Sequence, residues 1–185
     1  MKKFIFISGG SRSGKSRLAV ESAKKLAGPT VFIATAEALD GEMKERIRKH
    51  REERPKDWAL IEESRNIHQI LSEIKDRCNT LIIDCMGLLV SNLMADGMSD
   101  AEIIDRIKNM FTSLKKSDLT LILVSNEAGM GIVPDNALAR RFGDLLGSAN
   151  QISAEIADEV ILMCSGIPVY IKGGGLNAKT KENTV

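Results

Sequence analysis

The chain has 185 residues, the length of one compact domain and too few for two of full size. Its 26 Lys and Arg balance 25 Asp and Glu, for a formal net charge of +1. That excludes the net basic field of a generalised nucleic-acid or membrane-surface binder and leaves room only for a local basic patch; 43% hydrophobic and 28% charged residues with 4% aromatics describe a globular chain, not a disordered one, without the rings for a stacked recognition surface.

Residues 3–8 read as a short apolar strand. Its apolar stretch, residues 4–7, falls well below the ~7–15 residues of a signal-peptide core, and no run approaches the ~20 of a membrane span, so the expectation is a cytoplasmic protein. A Gly-rich turn leads into a helix over residues 15–26, stopped by Gly28 and Pro29. Residues 30–35 (TVFIAT) form a second buried strand, residues 40–53 a strongly charged helix closed by Arg54 and Pro55, and residues 58–62 a short strand. Over residues 66–77, Ile67, Ile70, Leu71 and Ile74 share one helical face. The strand at 80–84 (TLIID) precedes helices at 87–95 and 100–116 and a strand at 119–125 (LTLILVS). After the loop at 126–133, Pro134 sits where a helix starts, and that helix runs to residue 157. Strands at 160–164 and 168–171 close the domain, and 173–185 is a Gly-rich, then polar tail.

Apolar strands separated by helices predict one α/β domain over residues 1–172, with a mainly parallel sheet, helices on both faces, and ligands at the carboxyl ends of the strands. The cysteines Cys78, Cys85 and Cys164 are odd in number and widely spaced, without CxxC or a neighbouring His. They read as buried reduced thiols.

Gly9, Gly10, Ser11, Arg12, Ser13, Gly14, Lys15 and Ser16 spell G-x-x-x-x-G-K-[ST] between a strand and a helix, the setting that a P-loop requires. Gly9 and Gly14 permit backbone angles that turn successive N–H groups inward around phosphate oxygens. Lys15 reaches the β/γ-phosphates, Ser16 can ligate Mg²⁺, and the helix aims its positive end at the anion. The expected fold class is a single P-loop NTPase (RecA-type) domain. A second magnesium-organising carboxylate belongs at another strand end; Asp84 is the natural candidate and Glu127 its competitor.

Residues 40–55, DGEMKERIRKHREERP, read either as a solvated charged helix or as something more specific. On a helix Arg46, His50 and Arg54 fall at i, i+4 and i+8. The flanking guanidinium groups disfavour the imidazolium form, and a neutral imidazole beside anion-binding arginines can attack phosphorus. His68, on an ordinary amphipathic helix, reads as structural, and no His, Cys and acidic residues have the spacing of a zinc site.

Taken together, these segments resemble the bifunctional adenosylcobinamide kinase / adenosylcobinamide-phosphate guanylyltransferase family of cobalamin biosynthesis. The resemblance spans residues 5–172. It rests on GGSRSGKSR, on Ile33, Ala34, Thr35 and Ala36, on residues 43–55 with their histidine, on NEAGMGIVP at 126–134, and on DEV at 158–160 and SGIP at 165–168. Asp84 stands where some members of the family carry Glu, one methylene longer.

The resemblance implies two reactions. The hydroxyl of adenosylcobinamide is phosphorylated by ATP or GTP, and GMP then passes from GTP to that phosphate, giving adenosylcobinamide-GDP and pyrophosphate. It implies that His50 carries the GMP covalently, with Lys15 stabilising the departing pyrophosphate and Mg²⁺ held by Ser16 and Asp84. The implied nucleotide contacts are Gly9 to Ser16, then Ala34, Thr35, Ala36, Arg51, Glu52, Glu53, Arg54, Glu62 and Asp84. A homotrimer is implied as well, with the corrinoid in a groove between subunits. The Met- and Leu-rich helices at 87–95 and 100–116 are equally readable as lining that groove or as ordinary core.

Overall fold

A strand buried on both faces sends alternate side chains into two different cores, and that alternation organises the sheet. The computed structural model describes residues 1–38, 41–52, 54–74 and 76–173. Its elements are β1 (Lys3–Gly9), α1 (Lys15–Ala23), β2 (Thr30–Ala34), α2 (Gly41–Glu52), β3 (Ala59–Glu62), α3 (Ile67–Ile74) and β4 (Thr80–Asp84). They continue with α4 (Met86–Ala95), α5 (Asp100–Lys115), β5 (Thr120–Val124), α6 (Ala137–Ile156), β6 (Glu159–Cys164) and β7 (Ile167–Lys172).

Phe4 and Phe6 of β1, Val31 and Ile33 of β2, Leu81 and Ile83 of β4, and Leu121 and Leu123 of β5 face one core, covered by α3, α4, α5 and α6. Ile5, Ile7, Phe32, Ile82, Ile122 and Val124 face the other, where Ala19, Val20 and Ala23 of α1 pack on them. Strand order is β3-β2-β4-β5-β1-β6-β7. The first six strands are parallel and β7 is antiparallel to β6. This is the expected α/β P-loop domain; β1 lies between β5 and β6, and its turn into α1 lies at the carboxyl edge of the sheet. Asp158 fixes β1 there from outside: its carboxylate accepts from the Phe4 N–H at 2.7 Å, and its own N–H donates to Phe4 O at 2.9 Å.

Several expectations need correction. The edge strands β3 and β7, read as a short and a closing strand, are largely exposed. The last helix does not start at Pro134. It starts at Ala137, capped by Asn136, whose side-chain oxygen accepts from the N–H groups of Leu138 and Ala139; a cap that bonds two free N–H groups outweighs a preset φ. Cys78 and Cys85 are buried thiols, but Cys164 is exposed at the end of β6. Of the two readings open for the Met- and Leu-rich helices α4 and α5, core is the one observed for Met86, Leu89, Leu93, Ile103 and Met110. Glu53 and residues 174–185 lie outside the described residues, as does the start of the charged helix at Asp40. No helix among the described residues is long and apolar enough to cross a membrane.

Candidate active site

Between β1 and α1 the chain has to reverse around an anion-sized space, and glycine makes this possible. Gly9 has φ 148° and Gly14 φ 94°, both in the region that disfavours side chains. A β-carbon at Gly9 would sit 2.5 Å from the carbonyl oxygen of Met163, so β6 packs directly on the loop. Arg12 also adopts a left-handed φ of 55°. Lys15 donates from Nζ to Gly10 O at 2.6 Å and is only 7% exposed. Burial lowers its pKa, while the nearby Cys85 and Asp84 oppose that shift. A buried ammonium whose hydrogen bond goes to a carbonyl gains from an anion brought beside it. The hydroxyl of Ser13 is buried without a hydrogen-bond partner, a second unfilled polar function within the same loop.

A cavity of about 820 Å³ opens from this loop across the carboxyl ends of the strands, where an open parallel sheet binds ligands. Ser11, Arg12, Ser13, Gly14, Lys15 and Ser16 line it, together with Ala34, Ala36, Arg54 and Asp84. Asp84 ends β4 and carries no ion pair among the described residues. Its position is fixed from behind by Thr35. That hydroxyl donates to Cys85 O at 2.8 Å and accepts from the Cys85 N–H at 2.6 Å, while the Thr35 N–H donates to Asp84 O at 3.0 Å. Asn92 of α4 completes the clamp by donating to Thr35 O at 3.0 Å and to Ser64 O at 3.1 Å. Thr35 is fully buried, so its hydroxyl organises the Asp84 turn and does not line the cavity. Burial in that turn pushes the Cys85 thiol up to about 12, which leaves it an inert packing group.

Ser16 and Asp84 together offer one hydroxyl and one carboxylate. No cluster of three acidic, His or Cys side chains that could hold a metal exists among the described residues. This fits Mg²⁺, which keeps waters and phosphate oxygens and needs few protein ligands, and it fits no site built wholly from protein.

The opposite bank is α2. Met43 and Ile47 are its sole apolar side chains, and both line the cavity beside Phe32. The helix ends at Glu52, so Arg54 lies beyond it, and the strip expected to run through Arg46, His50 and Arg54 is not helical to its end. Pro55 disfavours helical geometry at Arg54. The Arg54 guanidinium instead stacks 3.7 Å above the ring of Phe32, still within the cavity lining. The side chains of Arg46 and His50 lie outside the described residues. Arg51 pairs with Glu62 at 2.5 Å and Glu52 with Arg48 at 2.5 Å; all four are exposed and none lines the cavity.

Glu127 does not line the cavity either. Its N–H donates to Gly9 O at 3.0 Å and its carboxylate accepts from the Gly129 N–H at 2.7 Å, so it shapes the loop. Asn126 does line it, held by buried Asn150, which donates to Asn126 O at 3.0 Å and accepts from the Ser125 hydroxyl at 2.6 Å. His68, on α3, is not among the lining residues. Sequence reasoning missed Arg17, Phe32, Met43, Ile47, Ser165 and Gly166 as lining residues. The one available signal was a pair of apolar residues four apart in an otherwise charged helix.

A family model described as cobinamide kinase / cobinamide phosphate guanyltransferase matches residues 5–171. The chain is 38% identical to the bifunctional adenosylcobalamin biosynthesis protein CobU of Salmonella typhimurium, over 91% of this chain and 99% of that protein. It is 35% identical to CobU of Escherichia coli with the same coverage, and 38% identical to the bifunctional protein CobP of Pseudomonas aeruginosa, over 90% of this chain and 96% of that one. Among solved structures, a prototypical ATPase from the type III secretion system of pathogenic bacteria superposes with a TM-score of 0.57 at 16% identity, over 88% of this chain and 51% of that chain. That likeness speaks for the P-loop fold alone.

Proposed function

The chain belongs to the cobinamide kinase / cobinamide phosphate guanyltransferase family, and from this premise we propose that both reactions run at the single cavity above, the second of them through His50. The enzyme phosphorylates cobinamide and transfers a guanylyl group to cobinamide phosphate. Supporting one shared cavity is its composition: a P-loop, the Asp84 carboxylate and one bank of α2 line the same 820 Å³. His50 follows Met43 by seven positions and Ile47 by three in α2, the spacing of one helical strip, and both of those residues line the cavity. This observation carries the proposal.

In the first reaction the hydroxyl oxygen of adenosylcobinamide attacks the γ-phosphorus of ATP or GTP. The bond from that phosphorus to the bridging oxygen breaks, the nucleoside diphosphate leaves with the electron pair, and the hydroxyl proton passes to solvent. In the second, an imidazole nitrogen of His50 attacks the α-phosphorus of GTP. The bond from that phosphorus to the bridging oxygen breaks, and pyrophosphate departs with the electron pair. An oxygen of adenosylcobinamide phosphate then attacks the same phosphorus, the N–P bond breaks, and the imidazole is restored. Lys15 and the loop N–H groups stabilise the charge that accumulates on the departing phosphates. Ser16 and Asp84 would hold Mg²⁺, which when bound neutralises charge on phosphate oxygens. Ala34, Ala36 and Arg54 contribute nucleotide contacts from the cavity wall. Arg51, Glu52 and Glu62 do not line the cavity. Their part in nucleotide binding rests on the exposed Arg51–Glu62 pair, which is open enough to exchange for a nucleoside, while Glu53 lies outside the described residues.

Ile132 is 97% exposed, and Met130, Val133 and Leu138 stand out beside it. Apolar tips of this kind are covered in an assembly, in keeping with a homotrimer that holds the corrin ring between subunits. Three free thiols suit a reducing cytoplasm.

A chase experiment tests the order of events. Protein incubated with α-labelled GTP and freed of nucleotide should lose its label to adenosylcobinamide phosphate and yield adenosylcobinamide-GDP. Label that stays on the protein would overturn the covalent route.

A further inference from the structure

We propose that Arg17 contacts the α-phosphate of the bound triphosphate and so favours guanylyl transfer over phosphoryl transfer; this rests on the covalent-histidine reading above. Arg17 sits in the first turn of α1 and lines the cavity. Its Nη2 atom lies 3.7 Å from the place a β-carbon of Gly14 would occupy and 3.9 Å from the corresponding place at Gly166. The β6–β7 turn therefore closes against the end of the P-loop, and its Gly166 N–H donates to Ser13 O at 3.1 Å. Ser165 and Gly166 line the cavity from this side. Arg17 has no ion pair among the described residues, so its charge is available to a ligand.

The two ends of the loop are chemically distinct. Lys15 holds its ammonium at the Gly10 end, and the lysine of a P-loop serves the β- and γ-phosphates. The loop N–H groups cradle the α- and β-phosphates, which assigns the α-phosphate to the Gly14 end, beside Arg17. Phosphoryl transfer breaks the bond at the γ-phosphorus, and guanylyl transfer breaks the bond between the α-phosphorus and its bridging oxygen. Lys15 serves both, because the β- and γ-phosphates are charged in both. A guanidinium at the α-phosphate stabilises the oxygens of the phosphorus attacked in guanylyl transfer alone, and its planar fork suits two of them together.

The test measures two initial rates in the full-length protein: GMP adduct formation from α-labelled GTP, and label transfer from γ-labelled nucleotide to adenosylcobinamide. Arg17→Gln should lower the first about 100-fold and the second about 5-fold, a shift of about 20-fold in their ratio, and Arg17→Lys should recover part of the first. Thermal unfolding of each variant serves as the folding control, since Arg17 is exposed. Equal losses in the two rates, or none in the first, would overturn the proposal. A wild-type protein that phosphorylates adenosylcobinamide and never carries GMP would overturn the histidine reading and this role together. A labelled wild type with an equally labelled Arg17→Gln would overturn this role alone.

Discussion

The two banks of the cavity are made differently. On the β1–α1 bank the binding groups are main-chain atoms, held by glycines in left-handed conformations, by β6 packed against Gly9, and by the buried Lys15. On the α2 bank the lining side chains are Met43 and Ile47 of an otherwise charged helix and Arg54 beyond its end, and the helix is tied to β3 by the exposed Arg51–Glu62 pair. The difference teaches where each kind of function resides. A phosphate cradle must exist before the nucleotide arrives, so it is integral to the fold; the nucleophile of the proposed mechanism, which must accept and release a group, belongs to an element with little buried surface.

Substitutions on the two banks should therefore separate folding from chemistry. The largest effect is expected at Lys15: Lys15→Ala should cost about 10³-fold in both reactions, the scale for removing one preorganised charge from a transition state. Loss of one reaction only, seen by assaying γ- and α-labelled nucleotide in parallel, would divide the shared cavity in two. Asp84→Asn should follow, with losses of about 10²-fold in both reactions and partial recovery at high Mg²⁺, read from rates across a magnesium titration. Gly9→Ala tests the rigidity of the first bank. It should destabilise the protein by about 1–3 kcal/mol in urea unfolding, because φ 148° and a 2.5 Å approach to Met163 O both resist a β-carbon. Arg51→Ala should change stability by about 0.5 kcal/mol at most, since its partner Glu62 is half exposed and such pairs are screened. Its effect should appear instead in the KM for GTP in guanylyl transfer.

The same division explains what could be read from the residues alone. The P-loop was legible because its chemistry demands glycine, lysine and serine at fixed spacing, and Asp84 because the end of an apolar strand is readable. The core strands followed for the same reason. The contact of Gly166 with Ser13 was not legible, because it depends on β6 lying beside β1 although the two are far apart in sequence. Thr35 looked like a nucleotide contact, yet its hydroxyl is consumed by Cys85, a pairing set by the β2–β4 register. Pro134 suggested a helix start that the side chain of Asn136 moved three residues on. The exposure of Ile132 and Val133 was equally hidden, since apolar residues in a loop read as packing until their neighbours are known.

The central claim is that GMP is carried by His50. Tandem mass spectrometry of peptides from protein incubated with GTP and quenched in base, where a phosphoramidate survives, tests it most directly. The expected result is a GMP adduct on the imidazole of His50 and no adduct in His50→Ala. An adduct on any other residue, or product formed at the wild-type rate by His50→Ala, would contradict it.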